Sequence, residues 1–483
     1  MEMRIYCQVG FNQSYDLNQL YAGFASIEIS NDTLAVYGNS IIDSVSNEPG
    51  MCFIKLDTFG NVLTYHIYHD SLGDYFTIPS PNSLIKLADG SGYVAVGQFF
   101  QRENGYFAKF GNSGLLIEFQ EYFDSMYSNI IFNQIIELED GFLIGGTAFT
   151  PSTSIEVFVQ KVDTEGEPVW KKKYGSNNKR DLFGSFFKTD ENEIVIGAST
   201  TSTIGVPLPQ TKNTSKIFAI DSLGNVKWEW ENQPSLEEFG VGKLSKTAEG
   251  YWAYTSARGW YNATYNEISR QPKFIIRDEN FNIIKEDTFG IADQTVFGFA
   301  NLIEMSSGGW LAIGVRPAYY PLPPIPMWYN SFSGWMVRLD NQANQVWNRI
   351  DTAFWSIETG STNYLYDAVE LPSGSIIACG YSRTYEPTPK DWGWLIKVSK
   401  NGCVDTLNCT PINTTNNNLL KNHINIYPNP TESIINIESE GVDLWDKIEV
   451  ISLTGQVIEV VNNTRVNKID LGNLEDGMYF MKL

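Results

Sequence analysis

The residue types that most often cleave bonds or bind metals are scarce in this chain. It has three histidines, His66, His69 and His423, and it contains no HExxH, phosphate-loop or CxxC motif. In a strand, the spacing of His66 and His69 would place them on opposite faces, so they do not form a pair of metal ligands. His423 lies in a polar segment with no candidate nucleophile beside it. The sequence therefore predicts no catalytic nucleophile, metal ligand set or cofactor.

Carboxylates are the other source of chemistry, because enzymes that cleave sugars use pairs of Asp or Glu side chains. The chain has 56 acidic residues. Five aspartates instead stand at the first position of a short turn, where an Asp side chain hydrogen-bonds the backbone. They are Asp57, Asp163, Asp221, Asp278 and Asp340. We interpret these five as structural turn residues.

Aromatic residues and prolines are concentrated in long segments between residues 260 and 392. Rigid aromatic side chains lose little entropy on binding and offer flat apolar surfaces to sugar rings or peptide side chains. The candidate binding face consists of Trp260, Tyr261, Tyr319, Tyr320, Trp328, Tyr329, Tyr385 and Trp392. The alternative is that these side chains fold down as a lid and bind nothing.

Internal repetition predicts the elements that position these residues. One signature is an apolar strand, a four-residue polar turn and a second strand, as in residues 53–62. Its turn begins at Asp57, Gly111, Asp163, Asp221, Asp278, Asp340 and Ser399. Glycine stands at the fourth turn position in five cases, as a turn closed by a left-handed residue requires. These glycines are Gly60, Gly114, Gly166, Gly224 and Gly402.

A second signature is an apolar strand that follows a polar turn and ends in glycine. It ends at Gly38, Gly97, Gly146, Gly197, Thr255, Gly314 and Gly380. Both signatures span 342 residues in six intervals, which gives a mean period of 57 residues. Each period holds two hairpins, and four-stranded repeats are typical of β-propellers. We predict an all-β, seven-bladed β-propeller with four-stranded blades over residues 1–409.

The seventh repeat has almost no outer strand, because residues 404–406 lead directly to Cys409. We predict that residues 3–9 supply it by pairing with residues 394–398, which would close the ring and hide two sheet edges. Tryptophan recurs just after the turn at Trp170, Trp228 and Trp347, and we interpret it as packing between neighbouring blades.

The composition excludes several classes of protein. The formal charge of −22 would repel a phosphate backbone, so nucleic acid is not an expected partner. No stretch reaches the 18 or more apolar residues of a membrane-spanning helix. Aromatics at 14%, 40 glycines and only 19% charged residues are typical of a folded β protein, which we expect to be a monomer.

The last part of the chain differs from the repeats. Residues 410–423 are polar and without periodicity, which indicates a flexible linker. Alternating runs follow at 434–437, 448–451 and 478–481, with turn residues at Gly455 and Gly477. Residues 424–483 therefore form a separate small all-β domain.

This domain resembles a known family. Tyr427-Pro428-Asn429-Pro430-Thr431 precedes a strand, then Leu-Thr-Gly-Gln-Val at 453–457, then Ile-Asp-Leu-Gly-Asn-Leu-Glu-Asp-Gly-Met-Tyr at 469–479. The order is similar to the type A C-terminal sorting domain of the Bacteroidetes type IX secretion system. The resemblance implies an Ig-like β-sandwich, handling by that machinery, and a secreted or outer-membrane-attached product. The implied sorting-motif residues are Tyr427, Pro428, Asn429, Pro430, Thr431, Gly455, Gly477 and Tyr479.

Both ends depart from that family. Its members continue past the Gly-Met-Tyr strand, whereas this chain stops at Leu483, and residues 1–5 begin no apolar stretch of signal-peptide length. We therefore expect a fragment shortened at both ends.

Three functions fit the sequence. The leading hypothesis is a secreted or surface-attached propeller that binds glycan or protein without chemistry of its own. The alternatives are a polysaccharide-active enzyme with paired carboxylates at the channel mouth, and a structural spacer within a surface protein. Carboxylates with a raised pKa in a cleft would favour the enzyme, and aromatic side chains with few acids would favour binding.

Cys403 and Cys409 lie six residues apart in a polar segment, and an exported protein meets an oxidising compartment. We predict that they form a disulfide, whereas Cys7, Cys52 and Cys379 lie in strand-like runs and remain thiols. Mass spectrometry of a non-reduced digest of the exported protein should find Cys403 and Cys409 linked. Recovery of both as alkylated free thiols would contradict the pairing.

Overall fold

The computed structural model is all-β, and no helix occurs among the residues that it describes. It describes residues 10–482 except 18–21, 31, 42–48, 72–73, 75, 78, 151–154, 176–178, 190, 202–212, 236, 263–266, 291–297, 318–331, 355–360, 386–388, 405–423, 428–432, 440–444, 453–456, 465–467 and 475–478. The chain divides into two compact units, 1–412 and 413–483. The linker predicted at 410–423 lies outside the described residues, so its boundaries stay a prediction.

The described residues of the first unit form seven groups of four antiparallel strands. The first strand of the chain, β1 (Phe11–Tyr15), belongs to the last group. Group 1 is β2 (Ala22–Ser30), β3 (Thr33–Ile41), β4 (Pro49–Asp57) and β5 (Val62–Tyr68); group 2 is β6 (Leu84–Lys86), β7 (Gly92–Gln98), β8 (Gly105–Gly111) and β9 (Leu116–Tyr122); group 3 is β10 (Asn129–Leu138), β11 (Gly141–Phe149), β12 (Ile155–Val162) and β13 (Pro168–Tyr174).

The remaining groups follow the same order. Group 4 is β14 (Arg180–Lys188), β15 (Ile194–Thr201), β16 (Asn213–Ile220) and β17 (Val226–Glu231); group 5 is β18 (Leu244–Lys246), β19 (Trp252–Asn262), β20 (Glu267–Arg277) and β21 (Ile283–Thr288); group 6 is β22 (Gly298–Glu304), β23 (Trp310–Pro317), β24 (Phe332–Leu339) and β25 (Gln345–Asp351); group 7 is β26 (Ser361–Glu370), β27 (Ile376–Thr384), β28 (Lys390–Val398) and β1. In each group the first strand is the inner one and the fourth is the outer one.

The turn between the third and fourth strands has one geometry throughout. The five aspartates predicted to be turn residues each accept two backbone N–H bonds, from the residues two and four positions later, at 2.7–3.0 Å. The fourth turn residue has positive φ at Gly60, Gly114, Gly166, Gly224, Phe281, Ala343 and Gly402. The φ angles of Phe281 and Ala343 are 60° and 57°. This left-handed conformation is less favourable for a residue with a side chain than for glycine.

A β-bulge explains four glycines of the second repeat signature, Gly38, Gly146, Gly314 and Gly380. The inner strand carries one extra residue opposite the second strand, for example between Phe24 and Ser26 and between Leu365 and Asp367. The bulge brings the backbones very close: a Cβ added to Gly380 would lie 1.7 Å from the Tyr364 carbonyl oxygen. Equivalent approaches of 1.9–2.2 Å occur at Gly38, Gly146 and Gly314. A side chain would have no room at these four glycines, whereas Ala198 occupies the matching position in group 4.

Apolar cores lie between the groups. Six buried clusters join consecutive groups, and a seventh joins group 7 to group 1, where Ile377 and Leu395 pack with Leu34 and Val36. Trp170 and Trp347 donate their indole N–H groups to carbonyls of the next group, Ser222 and Lys400, each at 3.1 Å. Tryptophan after the turn thus packs between neighbours, as predicted.

The outer strands hold the neighbouring turns by polar contacts. Tyrosine hydroxyls donate to the carbonyl of the positive-φ glycine in the next group, at 2.6–2.9 Å. The pairs are Tyr15 with Gly60, Tyr68 with Gly114, Tyr122 with Gly166 and Tyr174 with Gly224. Arg349 donates to Gly402 in the same way. In place of such a bond, Trp230 stacks on Phe281 with ring centroids 4.7 Å apart.

The strand that completes group 7 comes from the start of the chain, but from a different segment than predicted. Phe11–Tyr15 pairs antiparallel with residues 393–397, and Trp394 Nε1 donates to Asn12 Oδ1 at 2.6 Å. Residues 3–9 lie outside the described residues. The segment Phe-Asn-Gln-Ser-Tyr is less apolar than 3–9, but an outer strand needs only part of its surface buried, and here Tyr15 is buried while Asn12 and Gln13 are exposed.

The second unit holds two three-stranded sheets. One contains β29 (Ile424–Tyr427), β30 (Ile434–Ser439) and β33 (Lys468–Asp470); the other contains β31 (Trp445–Ser452), β32 (Val457–Thr464) and β34 (Tyr479–Lys482). The three predicted strand segments are present as β30, β31 and β34, and Ile448, Val450 and Ile469 are buried. Among the residues described in either unit, no helix is long and apolar enough to span a membrane.

The Tyr15 contact gives a test of closure by β1. Tyr15→Phe removes the donor to the buried Gly60 carbonyl and leaves an acceptor unpaired, so we expect a loss of about 1–3 kcal/mol in unfolding free energy. Chemical denaturation of the variant measures this loss, with Ser14→Ala in the same strand as the control. Equal stability of Tyr15→Phe and the wild type would contradict the assigned contact.

Candidate functional site

The inner strands of neighbouring groups are joined by side chains that follow the bulge. Each accepts a hydrogen bond from a backbone N–H of the next group. Ser26 accepts from Leu84 at 3.3 Å, Gln134 from Phe186 at 2.8 Å, and Ser185 from Leu244 at 2.9 Å. Asp367 accepts from Ile27 at 3.2 Å, which joins group 7 to group 1. In these four groups, the residue after the bulge is therefore polar for a structural reason.

Asp367 is the most connected of these residues. Its carboxylate accepts from Ser26 Oγ at 2.9 Å, Asn301 Nδ2 at 2.7 Å and the Ala368 N–H at 2.8 Å, in addition to Ile27. Burial raises the pKa of Asp367, and these donors oppose that rise because they favour the ionised form. With four donors on two oxygens, the carboxylate is occupied by its own neighbours.

An amide pair connects inner strands that are far apart in the order of groups. Asn82, just before β6, and Asn301 in β22 exchange two side-chain hydrogen bonds of 3.0 Å across 219 residues of sequence. Groups 2 and 6 are separated by groups 7 and 1, so this pair spans the space enclosed by the inner strands. Together with Asp367 it forms a polar crossing, which we define as Asn82, Asn301 and Asp367.

Two ionisable side chains near this polar crossing have perturbed pKa values. Burial, reinforced by the charge of Asp367 and opposed by Lys86, raises the pKa of Glu28 to about 8. Burial lowers the pKa of Lys243 to about 8, and Asp367 opposes this shift. Both side chains are only half-buried, so they combine a poorly hydrated setting with some access to solvent.

A cluster of tyrosines lies near the middle of β26 and β27 in group 7. We define the tyrosine cluster as Tyr364, Tyr366 and Tyr381. Their ring centroids are 5.1–6.0 Å apart, with interplanar angles of 9–27°. Burial is the main cause that raises the pKa of each phenol. All three are half-buried, so part of each ring faces solvent.

Polar groups border the tyrosine cluster. Arg383 forms a two-pronged ion pair with Asp391, at 2.6 Å from Nε and 2.7 Å from Nη2. The charge of Arg383 acts on the phenols of Tyr364 and Tyr381, which places it beside them. Tyr385 shares a 2.7 Å hydroxyl hydrogen bond with Thr362. The site thus combines stacked rings with a fixed guanidinium and carboxylate.

Trp392 lies within β28, opposite Ser382, and not in a loop as predicted. Its ring contacts Phe354 with centroids 5.2 Å apart, and Lys390 Nζ lies 3.9 Å from its centroid. The indole N–H is buried and has no hydrogen-bond partner among the described residues. Because neighbours from this chain occupy its ring, Trp392 supports the site more than it faces a ligand.

The structure describes only some of the other predicted site residues. Trp260 and Tyr261 lie at the end of β19, where their backbones pair with Ser269 and Ile268. Tyr319, Tyr320, Trp328 and Tyr329 lie outside the described residues, as do Pro428, Asn429, Pro430, Thr431, Gly455 and Gly477 of the sorting motif. Tyr427 ends β29 and Tyr479 begins β34.

The cysteines separate into two kinds. Cys52 and Cys379 are free and buried. Cys403 is part of a disulfide, and its partner is not among the described residues. The pairing with Cys409 therefore stays a prediction.

Sequence reasoning missed Tyr364, Tyr366, Asp367 and Lys243. The available signal was the run Tyr364-Leu365-Tyr366-Asp367, in which alternate aromatic residues share one face of a strand. His66 stacks beside Tyr68 in β5, and no cluster of three or more potential metal ligands occurs among the described residues.

A family model of the secretion system C-terminal sorting domain matches residues 425–483. This tail is therefore a sorting domain, which implies a Bacteroidetes origin, handling by the type IX secretion machinery and export to the cell surface or beyond. No curated protein matches the chain.

Several solved structures resemble the chain, and these neighbours are propeller-like proteins. An ulvan lyase of polysaccharide lyase family PL25 has a TM-score of 0.50 at 8% identity, over 82% of this chain and 97% of its own. A puromycin hydrolase gives 0.49 at 9% over 86% of this chain, which spans 58% of that protein. A periplasmic gluconolactonase of Pseudomonas aeruginosa gives 0.42 at 12% over 78% of this chain and 99% of its own. At 8% identity, the likeness to the ulvan lyase indicates the fold alone.

The pKa of Glu28 predicts a pH dependence. Between its ordinary value of 4.5 and about 8, the folded chain holds a proton that the unfolded chain releases, so a rise in pH through this window destabilises the fold. Glu28→Gln removes this effect. Thermal melts should show the variant gaining stability over the wild type between pH 5 and pH 8.5, whereas the exposed Glu165→Gln should not. A difference independent of pH would contradict the raised pKa.

Proposed function

We propose that the seven groups are the blades of a seven-bladed β-propeller and that this propeller is a glycan-binding module. A linker at 410–423 and an Ig-like sorting domain at 424–483 would follow it, and export would place it outside the cell. The apolar cores between consecutive groups, and the one between group 7 and group 1, support the closed ring. Secretion without membrane-spanning helices among the described residues is compatible with a soluble or surface-attached binder.

The tyrosine cluster is the observation that carries the glycan proposal. A sugar ring presents a flat face of C–H groups and an edge of hydroxyls. Stacked, half-exposed tyrosines match the face. The Arg383–Asp391 pair supplies fixed donors and acceptors for the edge, and its geometry is already set before a ligand arrives. Mixed apolar and polar lining of this kind suits a carbohydrate better than an apolar peptide side chain.

A polysaccharide-active enzyme is the second candidate, because Glu28 and Asp367 have raised pKa values near the inner strands. Raised pKa values are typical of general acids in glycoside cleavage. The contacts of Asp367 argue against it, since its oxygens already accept four hydrogen bonds from this chain. Binding without cleavage therefore explains more of the described contacts than catalysis does.

A glycan array with the full chain tests the proposal. Binding should appear and should weaken about fivefold or more in Tyr381→Ala, because a stacked aromatic contact contributes on the order of 1 kcal/mol. Tyr127→Ala is the matched control, since Tyr127 is also half-buried and contacts the ring of Phe158 in group 3 edge to face.

The outcomes separate the candidates. Binding that survives Tyr381→Ala in a folded variant would move the site elsewhere on the propeller. Release of shortened oligosaccharides that stops in Glu28→Gln would favour the enzyme. Binding to proteins but to no glycan would overturn the glycan proposal.

A further inference from the structure

In five groups the bulge places one residue of the inner strand at the same point of the fold. In groups 6 and 7 the bulged residues are Ala300 and Tyr366, which fall between the paired residues on either side. In group 5 the bulged residue is Lys243, because Gly242 N donates to Thr255 O at 2.8 Å and Thr255 N donates to Lys243 O at 3.0 Å. Three consecutive groups thus present a lysine, a small residue and a tyrosine at equivalent positions.

We propose that this place binds the carboxylate-bearing sugar of an acidic glycan, with Lys243 as the partner of the carboxylate and Tyr366 beneath the ring. The proposal rests on glycan binding by the tyrosine cluster and names the substrate class. Ala300 stands between the two contacting groups, and its single methyl leaves room where a larger bulged residue would fill the gap. Asp367, the residue after Tyr366, is fixed by its bond to Asn301 in the polar crossing.

The charged environment of Lys243 favours the binding of an anionic ligand group. No ion pair of Lys243 occurs among the described residues, although the chain carries 56 acidic against 34 basic side chains. Its nearest charged influence is Asp367, whose oxygens accept four donors already. A half-buried ammonium is poorly hydrated. A ligand carboxylate would therefore replace the hydrogen bonds with water that the ammonium loses in this site.

Selectivity for an acidic sugar would depend on direct contacts in the site, because the protein as a whole carries a strong negative charge. With a formal charge of −22, long-range forces repel an acidic polymer. At physiological ionic strength such repulsion falls off over roughly 8 Å, whereas a direct contact in a poorly hydrated site is screened much less. An acidic sugar would therefore be held by contact with Lys243 and not by the general field.

Calorimetric titration of the full chain with two matched probes tests the inference. The probes are trigalacturonate and its methyl ester, in which each carboxylate is replaced by an uncharged methyl ester on the same sugar chain. We expect the wild type to prefer trigalacturonate, and Lys243→Met to weaken that probe about tenfold or more while leaving the ester unchanged. Lys243→Arg should retain most of the affinity. Lys188→Met, at the hairpin end of inner strand β14 and exposed, should change neither probe.

The results distinguish this inference from the proposed function. Equal affinity for both probes, with loss of both in Tyr381→Ala, would overturn acid selectivity and leave glycan binding in place. Equal weakening of both probes by Lys243→Met in a folded protein would also overturn it. No binding of either probe, together with an empty glycan array, would overturn both proposals.

Discussion

The contact on which the rest of the first unit depends is the one between an outer strand and the turn of the next group. A residue with positive φ ends each turn, and in five groups its carbonyl accepts a bond from a tyrosine or arginine of the preceding outer strand. The turn geometry is therefore not an isolated local preference. It creates the acceptor that fixes the distance and angle between neighbours, and the apolar cores fill the space that this spacing leaves.

The inner ends follow a different rule, set by the bulge. In groups 1, 3 and 7, glycine opposite the bulge lets two backbones approach, and the side chain after the bulge accepts a hydrogen bond from an N–H of the next group. The strand pairing skips the bulged residue at Ala300 and Tyr366, and its identity differs from group to group. The repeated backbone arrangement of the inner strands is therefore kept, although the bulged residue is lysine, alanine or tyrosine in different groups.

The sequence predicted what is local and repeated. The turn aspartates, the strands of the tail and the role of Trp170 and Trp347 all follow from residue type at fixed spacing. It placed the closing strand wrongly because Ile5–Val9 is more apolar than Phe11–Tyr15, whereas an outer strand is selected by its partners and not by its hydrophobicity. Asp367 and Lys243 were missed because their surroundings come from groups that are distant in sequence, which no spacing within one strand reveals.

The bond between Asn12 and Trp394 joins residues 382 positions apart. Contacts of this separation form late in folding, because the intervening chain must be ordered before they are reached. Until then, β28 presents an open edge while β1 has no partner, and the two exist at the same time in every molecule. The β1 of one molecule matches the β28 edge of another as well as it matches its own. At high protein concentration, pairing of β1 with β28 in the same molecule therefore competes with strand exchange between two molecules. Dilution favours the monomer.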